Sequence, residues 1–292
     1  MRSVGVLVLS LGIAACGDGG ALPGVPDLAG ESGSDDAGGA TADLDEGAPD
    51  LAPRPPDLLR LPDLVPPPVD PGLAGPFTTV TLSLAAPIAQ NVTLSILVAG
   101  PSDDGKALSQ KGAPYPTVIL SPGFSIAAAN YAPYAQRLAS HGFLVVTQSY
   151  RSAGNHPQDR DDTVKLVDWL LNPTGNDAAK VAGRTDRGRI GAAGHSLGGK
   201  VTFLAAETDP RIIAAFGIDP VNSNPPFGGV GADALAALGG YRGATGFIGE
   251  TTNSMGLGAC APAADNFQQF YARAASPTFA TTFAAANHND FL

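Results

Sequence analysis

The sequence predicts an α/β fold in which a mostly parallel central sheet is covered by helices on both faces. From Phe77 onward, short β-branched or apolar runs alternate with longer segments of helical periodicity. Several short runs, such as FLVVTQSY at 143–150, are apolar on consecutive residues, as in strands buried on both faces. Strands that alternate with helices pair in parallel through right-handed crossovers, and their chemistry collects at the carboxyl ends of the strands.

The predicted elements follow in chain order. Period-two spacing predicts two opening strands, which form a hairpin, at 77–84 and 91–100. Acids in the first turn and a wide apolar face predict a helix over 161–172, with Val164, Leu166, Val167, Trp169, Leu170 and Leu171 on that face. The other predicted strands are 116–123, 143–150, 189–194, 211–219, 244–250 and 277–287. The other predicted helices are 129–142, 197–209, 232–240 and 265–275.

The N-terminal segment predicts export and a lipid anchor. Met1 and Arg2 precede an apolar run that is too short to span a membrane and has the layout of a secretory signal. The run ends in Ile13-Ala14-Ala15-Cys16, which resembles the lipobox of bacterial lipoproteins, so we expect a signal peptide over 1–16 and acylation of Cys16. The alternative is an ordinary signal peptide with an incidental cysteine.

We expect residues 17–75 to form a disordered tether and residues 76–292 to form the folded domain. The tether is rich in Gly, Ala, Asp and Pro and has no apolar periodicity. If Cys16 is acylated it cannot pair with Cys260, and the domain then has to be stable without a disulfide. These features predict a lipid-anchored protein of the bacterial outer membrane or periplasm, or one exposed at the cell surface.

Almost all of the net charge of −10 comes from residues 1–75 and not from the domain. Of the 27 acidic and 17 basic residues, positions 1–75 hold 12 and 3, which leaves 15 and 14 for the domain. A nearly neutral domain offers no electrostatic basis for nucleic-acid binding. The acids and histidines also lack the spacing of metal ligands, so we expect no metal and no cofactor.

Residues 192–200, AAGHSLGGK, contain the candidate nucleophile. Gly194-His195-Ser196-Leu197-Gly198 fits G-x-S-x-G between a predicted strand and a predicted helix. The glycines permit a tight turn that presents the Ser196 hydroxyl at a helix N-terminus, where developing negative charge is stabilised. The alternative is a glycine-rich turn with a capping serine.

A serine hydroxyl needs a base, and the base needs a carboxylate to orient it. Among the four histidines, His288 follows the last predicted strand, where the chain order Ser, acid, His requires the base. His195 neighbours the serine, but we expect its side chain to point away and to pack. His156 lies in a loop that could line a pocket, and His141 lies at a helix end.

Two acids compete for the orienting role. Asp219 ends the strand after the helix of Ser196, and Glu250 ends the next strand. Position alone leaves both open. The oxyanion hole needs the N–H of Leu197 and a second donor, for which Phe124 in Ser121-Pro122-Gly123-Phe124 is the candidate, since Pro122 has no N–H.

The domain resembles the chlorophyllase family of the α/β-hydrolase superfamily and, further off, the cutinase-like polyester hydrolases. The matching segments are ASHGFLVV, GHSLGGK, GIDPV, GLGACAP, NFQQFY and NHNDFL, in that order. The resemblance implies an α/β-hydrolase fold, and it places the acid at Asp219 in the Asp-Pro-Val segment. Leu197 stands where chlorophyllases usually have arginine, and Ser121-Pro122 is closer to the polyester hydrolases. The chain ends four residues after His288, so either this protein is trimmed relative to its relatives or its C-terminus is incomplete.

The function we expect is serine carboxylic ester hydrolysis of an apolar small-molecule or polymeric ester by a monomer. Its catalytic residues are Ser196, His288 and Asp219, and its oxyanion donors are the N–H groups of Phe124 and Leu197. The alternatives are a binding protein on a hydrolase scaffold and an amide or thioester hydrolase with the same triad. Aromatic residues near the motifs suggest an apolar pocket, and core packing is an equally good explanation for any one of them. These residues are Phe124, Tyr131, Tyr134, Phe227 and Tyr241.

Overall fold

The computed structural model describes residues 70–151, 154–225, 229–252 and 259–292. The chain divides into two units, Met1–Asp70 and Pro71–Leu292. The predicted signal peptide, Cys16 and most of the predicted tether lie outside the described residues. The second unit begins at Pro71, five residues before the predicted start of the domain.

Eight strands of the described residues form one sheet. They are β1 (Thr79–Ala89), β2 (Val92–Pro101), β3 (Tyr115–Ser121), β4 (Leu144–Gln148), β5 (Thr185–His195), β6 (Ile212–Ile218), β7 (Ala244–Gly249) and β8 (Thr278–Thr282). Their order is β1-β2-β4-β3-β5-β6-β7-β8. β1 pairs antiparallel with β2, and β2 with β4, whereas every later pairing is parallel. The predicted hairpin and the mostly parallel sheet are confirmed.

The helices that cover the sheet are α1 (Ala132–Ser140), α2 (His156–Leu171), α3 (Ala178–Val181), α4 (Leu197–Thr208), α5 (Ala234–Leu238) and α6 (Phe267–Arg273). In the described part of the chain, two short 3-10 helices lie at Ala128–Tyr131 and His288–Phe291. α2 begins five residues before its predicted start because Asn155 caps it: the Asn155 side chain accepts a hydrogen bond from the Gln158 N–H. β8 is shorter than the run 277–287 predicted, since the chain turns after Thr282.

Alternation along the central strands divides the core between the two faces of the sheet. All five residues of β4 are buried, as predicted for a strand covered on both sides. Leu144 and Val146 join the larger apolar cluster with α2 and α4, whereas Val145 joins the smaller cluster with α1 and the C-terminal 3-10 helix. The four buried apolar residues of α2, Leu166, Val167, Trp169 and Leu170, all lie on its predicted apolar face.

The segment before β1 packs against the end of α1. The Gly75 N–H donates to Ser140 Oγ (2.9 Å), and Arg137 Nη1 donates to the Gly72 carbonyl (2.8 Å). Residues 71–75, which the sequence assigned to the tether, therefore belong to the folded unit.

Two further observations bear on the anchor and on the cysteines. Within the described ranges, no helix is long and apolar enough to cross a membrane. Cys260 is disulfide-bonded in this structure, which contradicts the expectation that the domain does without a disulfide. The other cysteine of the sequence, Cys16, lies outside the described residues.

Candidate active site

Ser196 lies at a strained turn between β5 and α4. Its φ of 56° and ψ of −121° lie in a region that costs a non-glycine residue about 1–3 kcal/mol. The Ser196 N–H donates to the Ile218 carbonyl (3.0 Å), and the Ser196 carbonyl accepts from the Val221 N–H (3.2 Å). These two hydrogen bonds join the Ser196 turn to the chain just before and just after Asp219. The Ser196 side chain makes no capping hydrogen bond to α4, which contradicts the capping-serine alternative.

Glycine is required on both sides of Ser196 by close backbone contacts. A Cβ at Gly194 would collide with the backbone of Gly198, and a Cβ at Gly198 would collide with the backbone of Ser121. α4 therefore sits directly against β5 and the end of β3. This close approach leaves Ser196 partly exposed between buried neighbours, at the carboxyl end of the sheet.

His288 and Asp219 form a buried pair at the same edge. His288 Nδ1 lies 2.6 Å from Asp219 Oδ2, and the two side chains are 6% and 0% exposed. Asp219 follows β6 with a positive φ of 41°, another strained position at this edge. His288 begins the C-terminal 3-10 helix, which is capped by a reciprocal box: the Asn287 N–H donates to Asp290 Oδ2 (2.8 Å), and the Asp290 N–H donates to the Asn287 side chain. The Asn289 N–H also donates to Asn287 Oδ1 (2.9 Å).

Glu250, the competing acid, lies beside this pair. Its side chain is fully buried, and its backbone N–H donates to Asp219 Oδ1 (3.3 Å). One potential ligand atom from each of Asp219, Glu250 and His288 lies within 4.8 Å of the others, the arrangement of a possible metal site. Sequence spacing did not reveal this group, because its members follow three different strands. The Asp219 carboxylate already bonds His288 Nδ1, so the arrangement is an acid–base pair with a second buried carboxyl next to it.

The candidate oxyanion donors flank the turn. Leu197 is the first residue of α4, where N–H groups have no partner within the helix. Phe124 follows Gly123 in the loop after β3, and no hydrogen bond from its N–H occurs in the described part of the chain. Ser125 next to it has φ 56°. Among the described residues, three of the four non-glycine residues with positive φ, Ser125, Ser196 and Asp219, therefore lie in the loops that carry the candidate site.

The ring of His195 is hydrogen-bonded on both sides, so the sequence-based expectation of simple packing is incomplete. Its Nδ1 lies 2.9 Å from the Tyr131 hydroxyl oxygen, and its Nε2 lies 3.1 Å from the carbonyl oxygen of His288. The rings of His195 and His288 lie against each other with centroids 4.7 Å apart. Sequence reasoning missed Tyr131 as a polar partner, because only the fold brings it beside His195.

The aromatic residues that were predicted to line a pocket do not all lie at the candidate site. Phe124 is 37% exposed, as a pocket residue should be, and the Tyr134 hydroxyl donates to the Phe291 carbonyl (3.0 Å). Tyr131 is fully buried, and the Tyr241 hydroxyl donates to the Ile212 carbonyl at the opposite end of the sheet (3.0 Å), so neither lines a pocket at the candidate site. Phe227 lies outside the described residues.

Beneath the turn lies a buried polar layer that the sequence did not reveal. Lys200, one turn after Ser196, is fully buried, and its Nζ donates to the carbonyls of Asn222 (2.8 Å) and Ser223 (3.0 Å), which fixes the chain just after Asp219. Burial lowers the pKa of Lys200 to about 8. His156 is buried at the start of α2, so it does not lie in an open loop, and burial together with Lys200 lowers its pKa to about 4.

The class of protein follows from these features. A mostly parallel sheet with a strained serine between its central strand β5 and the helix α4, and with an acid and a histidine after later strands, defines the α/β-hydrolase fold. The chain has this fold, as the sequence predicted.

The chain is similar to polyester hydrolases over its central part. A family model described as PET hydrolase-like matches residues 107–240, a range that contains Phe124, Ser196 and Asp219 and ends before His288. A bis(hydroxyethyl) terephthalate hydrolase from Streptomyces coelicolor is 37% identical over 106 residues, which are 36% of this chain and 33% of that protein. Cutinase 2 of Thermobifida cellulosilytica is 30% identical over 122 residues, which are 41% of this chain and 45% of the cutinase.

A cutinase of Thermobifida fusca, cut1, is 30% identical over 122 residues, which are 41% of this chain and 37% of the cutinase. The matches thus span between a third and just under half the length of these curated relatives. They favour the polyester hydrolases, which the sequence analysis placed second. The resemblance to chlorophyllases stays a prediction.

Proposed function

We propose that this protein is a serine carboxylic ester hydrolase that acts on an apolar ester through Ser196, His288 and Asp219. The observation that carries the proposal is the buried contact of 2.6 Å between His288 Nδ1 and Asp219 Oδ2, at the edge of the sheet where the Ser196 turn also lies. A carboxylate on Nδ1 holds the imidazole in the tautomer whose Nε2 can accept a proton.

The reaction proceeds in two halves. His288 Nε2 takes the proton of Ser196 Oγ as that oxygen attacks the ester carbonyl carbon, and the N–H groups of Phe124 and Leu197 stabilise the oxyanion. The intermediate collapses, His288 gives the proton to the departing alcohol, and an acyl-enzyme remains. Water then attacks the acyl carbon and gives a proton to His288. The second intermediate collapses, His288 returns the proton to Ser196 Oγ as the bond from that oxygen to the acyl carbon breaks, and the carboxylic acid leaves. The residues do all of this chemistry without a cofactor.

We further propose an apolar acid or alcohol portion in the substrate, including polyester chains. Phe124 is partly exposed beside the candidate oxyanion position, and Phe283, 48% exposed, packs edge-on against Phe291 in the helix that carries His288 (5.9 Å between ring centroids). Aromatic side chains at a site edge offer apolar area to a hydrophobic ester. The similarity to a bis(hydroxyethyl) terephthalate hydrolase and to cutinases supports the same class of substrate.

The proposal is tested with Ser196→Ala and Asp219→Asn on p-nitrophenyl esters, bis(hydroxyethyl) terephthalate and an amorphous polyester film. We expect Ser196→Ala to lose both turnover and labelling by a fluorophosphonate probe, because the probe reacts with the activated hydroxyl. Asp219→Asn keeps the shape of the carboxylate but not its charge, so kcat should fall on the order of 10⁴-fold. Unchanged turnover in Ser196→Ala, with the fold intact by circular dichroism, would refute the proposal.

Two alternatives have distinct outcomes when a matched amide and a matched thioester are added to the same experiment. A binding protein on this scaffold would leave wild-type Ser196 unlabelled by the probe. An amide or thioester hydrolase would label Ser196 but would turn over a matched amide or thioester faster than the ester. We propose that the protein acts as a monomer held at the cell envelope by an acylated Cys16. Acylation of Cys16 and the disulfide of Cys260 exclude each other, because the sequence has only these two cysteines, so the proposed anchor belongs to the form without the disulfide.

A further inference from the structure

We propose that His195 is a positioning residue that couples the candidate oxyanion loop to the candidate base through a chain of hydrogen bonds with one fixed direction. The kinetic part of this inference rests on the proposed ester hydrolase function. The structural part does not.

The chain has three links. The Gly123 N–H donates to the Tyr131 hydroxyl oxygen at 2.9 Å. The Tyr131 hydroxyl lies 2.9 Å from His195 Nδ1, and His195 Nε2 lies 3.1 Å from the carbonyl oxygen of His288. The side chains of Tyr131 and His195 are buried to at least 99%, so water does not compete for these contacts.

The partners determine where each proton lies. The His288 carbonyl can only accept, so His195 Nε2 must carry a hydrogen. Burial, with His288 nearby, lowers the pKa of His195 to about 3, so its ring is neutral and its Nδ1 has no hydrogen. Nδ1 therefore accepts, and the Tyr131 hydroxyl donates to it. Burial also raises the pKa of Tyr131, so this hydroxyl keeps its proton.

The two ends of the chain lie at the two groups that the reaction has to align. At one end, the bond to Tyr131 orients the Gly123 backbone, and the next N–H along the chain is that of Phe124. A Cβ at Gly123 would come within 3.1 Å of His195 Nδ1, so the loop lies directly on the ring. At the other end, the His195 ring holds the backbone of His288 and lies against its imidazole with 33° between the ring planes.

A neutral ring at this position also suits the charge that the reaction creates. His288 becomes an imidazolium when it takes the proton of Ser196, and a second positive charge 4.7 Å away would oppose this step. An apolar side chain such as leucine could fill the same volume, but it would bind neither Tyr131 nor the His288 carbonyl. Glutamine could do both, because its amide has one acceptor and one donor about as far apart as the two ring nitrogens.

The first test reads the tautomer directly and needs no activity. Long-range ¹H–¹⁵N spectra of the full chain with ¹⁵N-histidine would show a neutral Nε2–H ring for His195 at every pH from 5 to 9, with the signal assigned by its loss in His195→Gln. A ring protonated on Nδ1, or a charged ring at pH 6, would overturn the proposal.

The second test compares His195→Gln with His195→Leu, and Tyr131→Phe with Tyr241→Phe. Tyr241→Phe is the matched control, because it also removes a buried hydroxyl that is hydrogen-bonded to the backbone, in this case to the Ile212 carbonyl at the far end of the sheet. We expect kcat, corrected for the fluorophosphonate-labelled fraction, to fall at least about tenfold in His195→Leu and Tyr131→Phe, with KM within about twofold, since misplacement of a reacting group mainly slows chemistry.

His195→Gln should keep most of kcat, and Tyr241→Phe should keep all of it. Equal losses in His195→Gln and His195→Leu, or in the two tyrosine variants, would reduce His195 to a packing residue. If the wild type neither turns over esters nor labels at Ser196, the proposed function fails, whereas the tautomer spectrum still decides the hydrogen-bond chain.

Discussion

Replacement of Asp159 by asparagine should stabilise the protein at neutral pH and not at acidic pH. Asp159 lies in the first turn of α2, is 1% exposed, and both of its carboxylate oxygens lack a hydrogen-bond partner in the described part of the chain. Burial, and secondarily the charge of Asp162, raises the pKa of Asp159 from 3.8 to about 7, although Arg151 opposes the shift. The folded protein therefore prefers the neutral carboxyl.

The size of the effect follows from this shift. Below pH 3.8 the carboxyl is protonated in both the folded and the unfolded chain, and its ionisation contributes nothing to stability. Between about pH 4 and 7 only the unfolded chain has lost the proton, so the free energy of unfolding falls by about 1.4 kcal/mol per pH unit. Above pH 7 the loss is complete, at up to about 4 kcal/mol. Asparagine cannot ionise, so it avoids this loss.

The assay is urea unfolding of the wild type and Asp159→Asn at unit steps from pH 4 to 8. The stability difference should be smallest at pH 4, rise with pH and level off above pH 7. Asp161→Asn is the control, because its side chain is 48% exposed on the same helix, and it should stay within about 0.5 kcal/mol of the wild type. A difference for Asp159→Asn that does not change with pH would refute the reasoning.

Two further predictions concern the tight turn and the N-terminus. Gly198→Ala should lower the free energy of unfolding, measured by thermal melts, by about 3 kcal/mol or more. The reason is that the new Cβ would overlap the Ser121 backbone, which cannot move aside as the end of a side chain can. Gly188→Ala is the control in the same melts, because the nearest atom to its Cβ is a carboxylate oxygen of Asp186 at 3.5 Å. Expression with an alkyne fatty acid should label the wild type and Cys260→Ser but not Cys16→Ser, because a lipobox cysteine is the acylated residue. An unlabelled wild type would contradict the anchor.

Local sequence patterns predicted most of the strands and helices, because such patterns depend on interactions within each segment and on its burial. Consecutive apolar residues in β4 and the apolar face of α2 reflect burial that each segment needs by itself. The Ser196 turn was predictable for the same reason, since its glycines are required by contacts within a few residues and by one neighbouring strand. The early start of α2 was missed, because Asn155 acts as its cap several residues before the acidic turn that marked the prediction.

The sequence by itself determined the alternation of strands and helices, the strained serine, and the candidates for acid and base at strand ends. Position along the chain left Asp219 and Glu250 both open, and the family resemblance implied Asp219. The tertiary structure brings Asp219 into contact with His288 Nδ1, because the atom that meets this nitrogen depends on the register of neighbouring parallel strands and on backbone angle. It also decided the hydrogen-bond partners of His195, Tyr131 and Lys200. A buried polar group is defined by partners from distant segments, and no local pattern in the chain records where those segments meet.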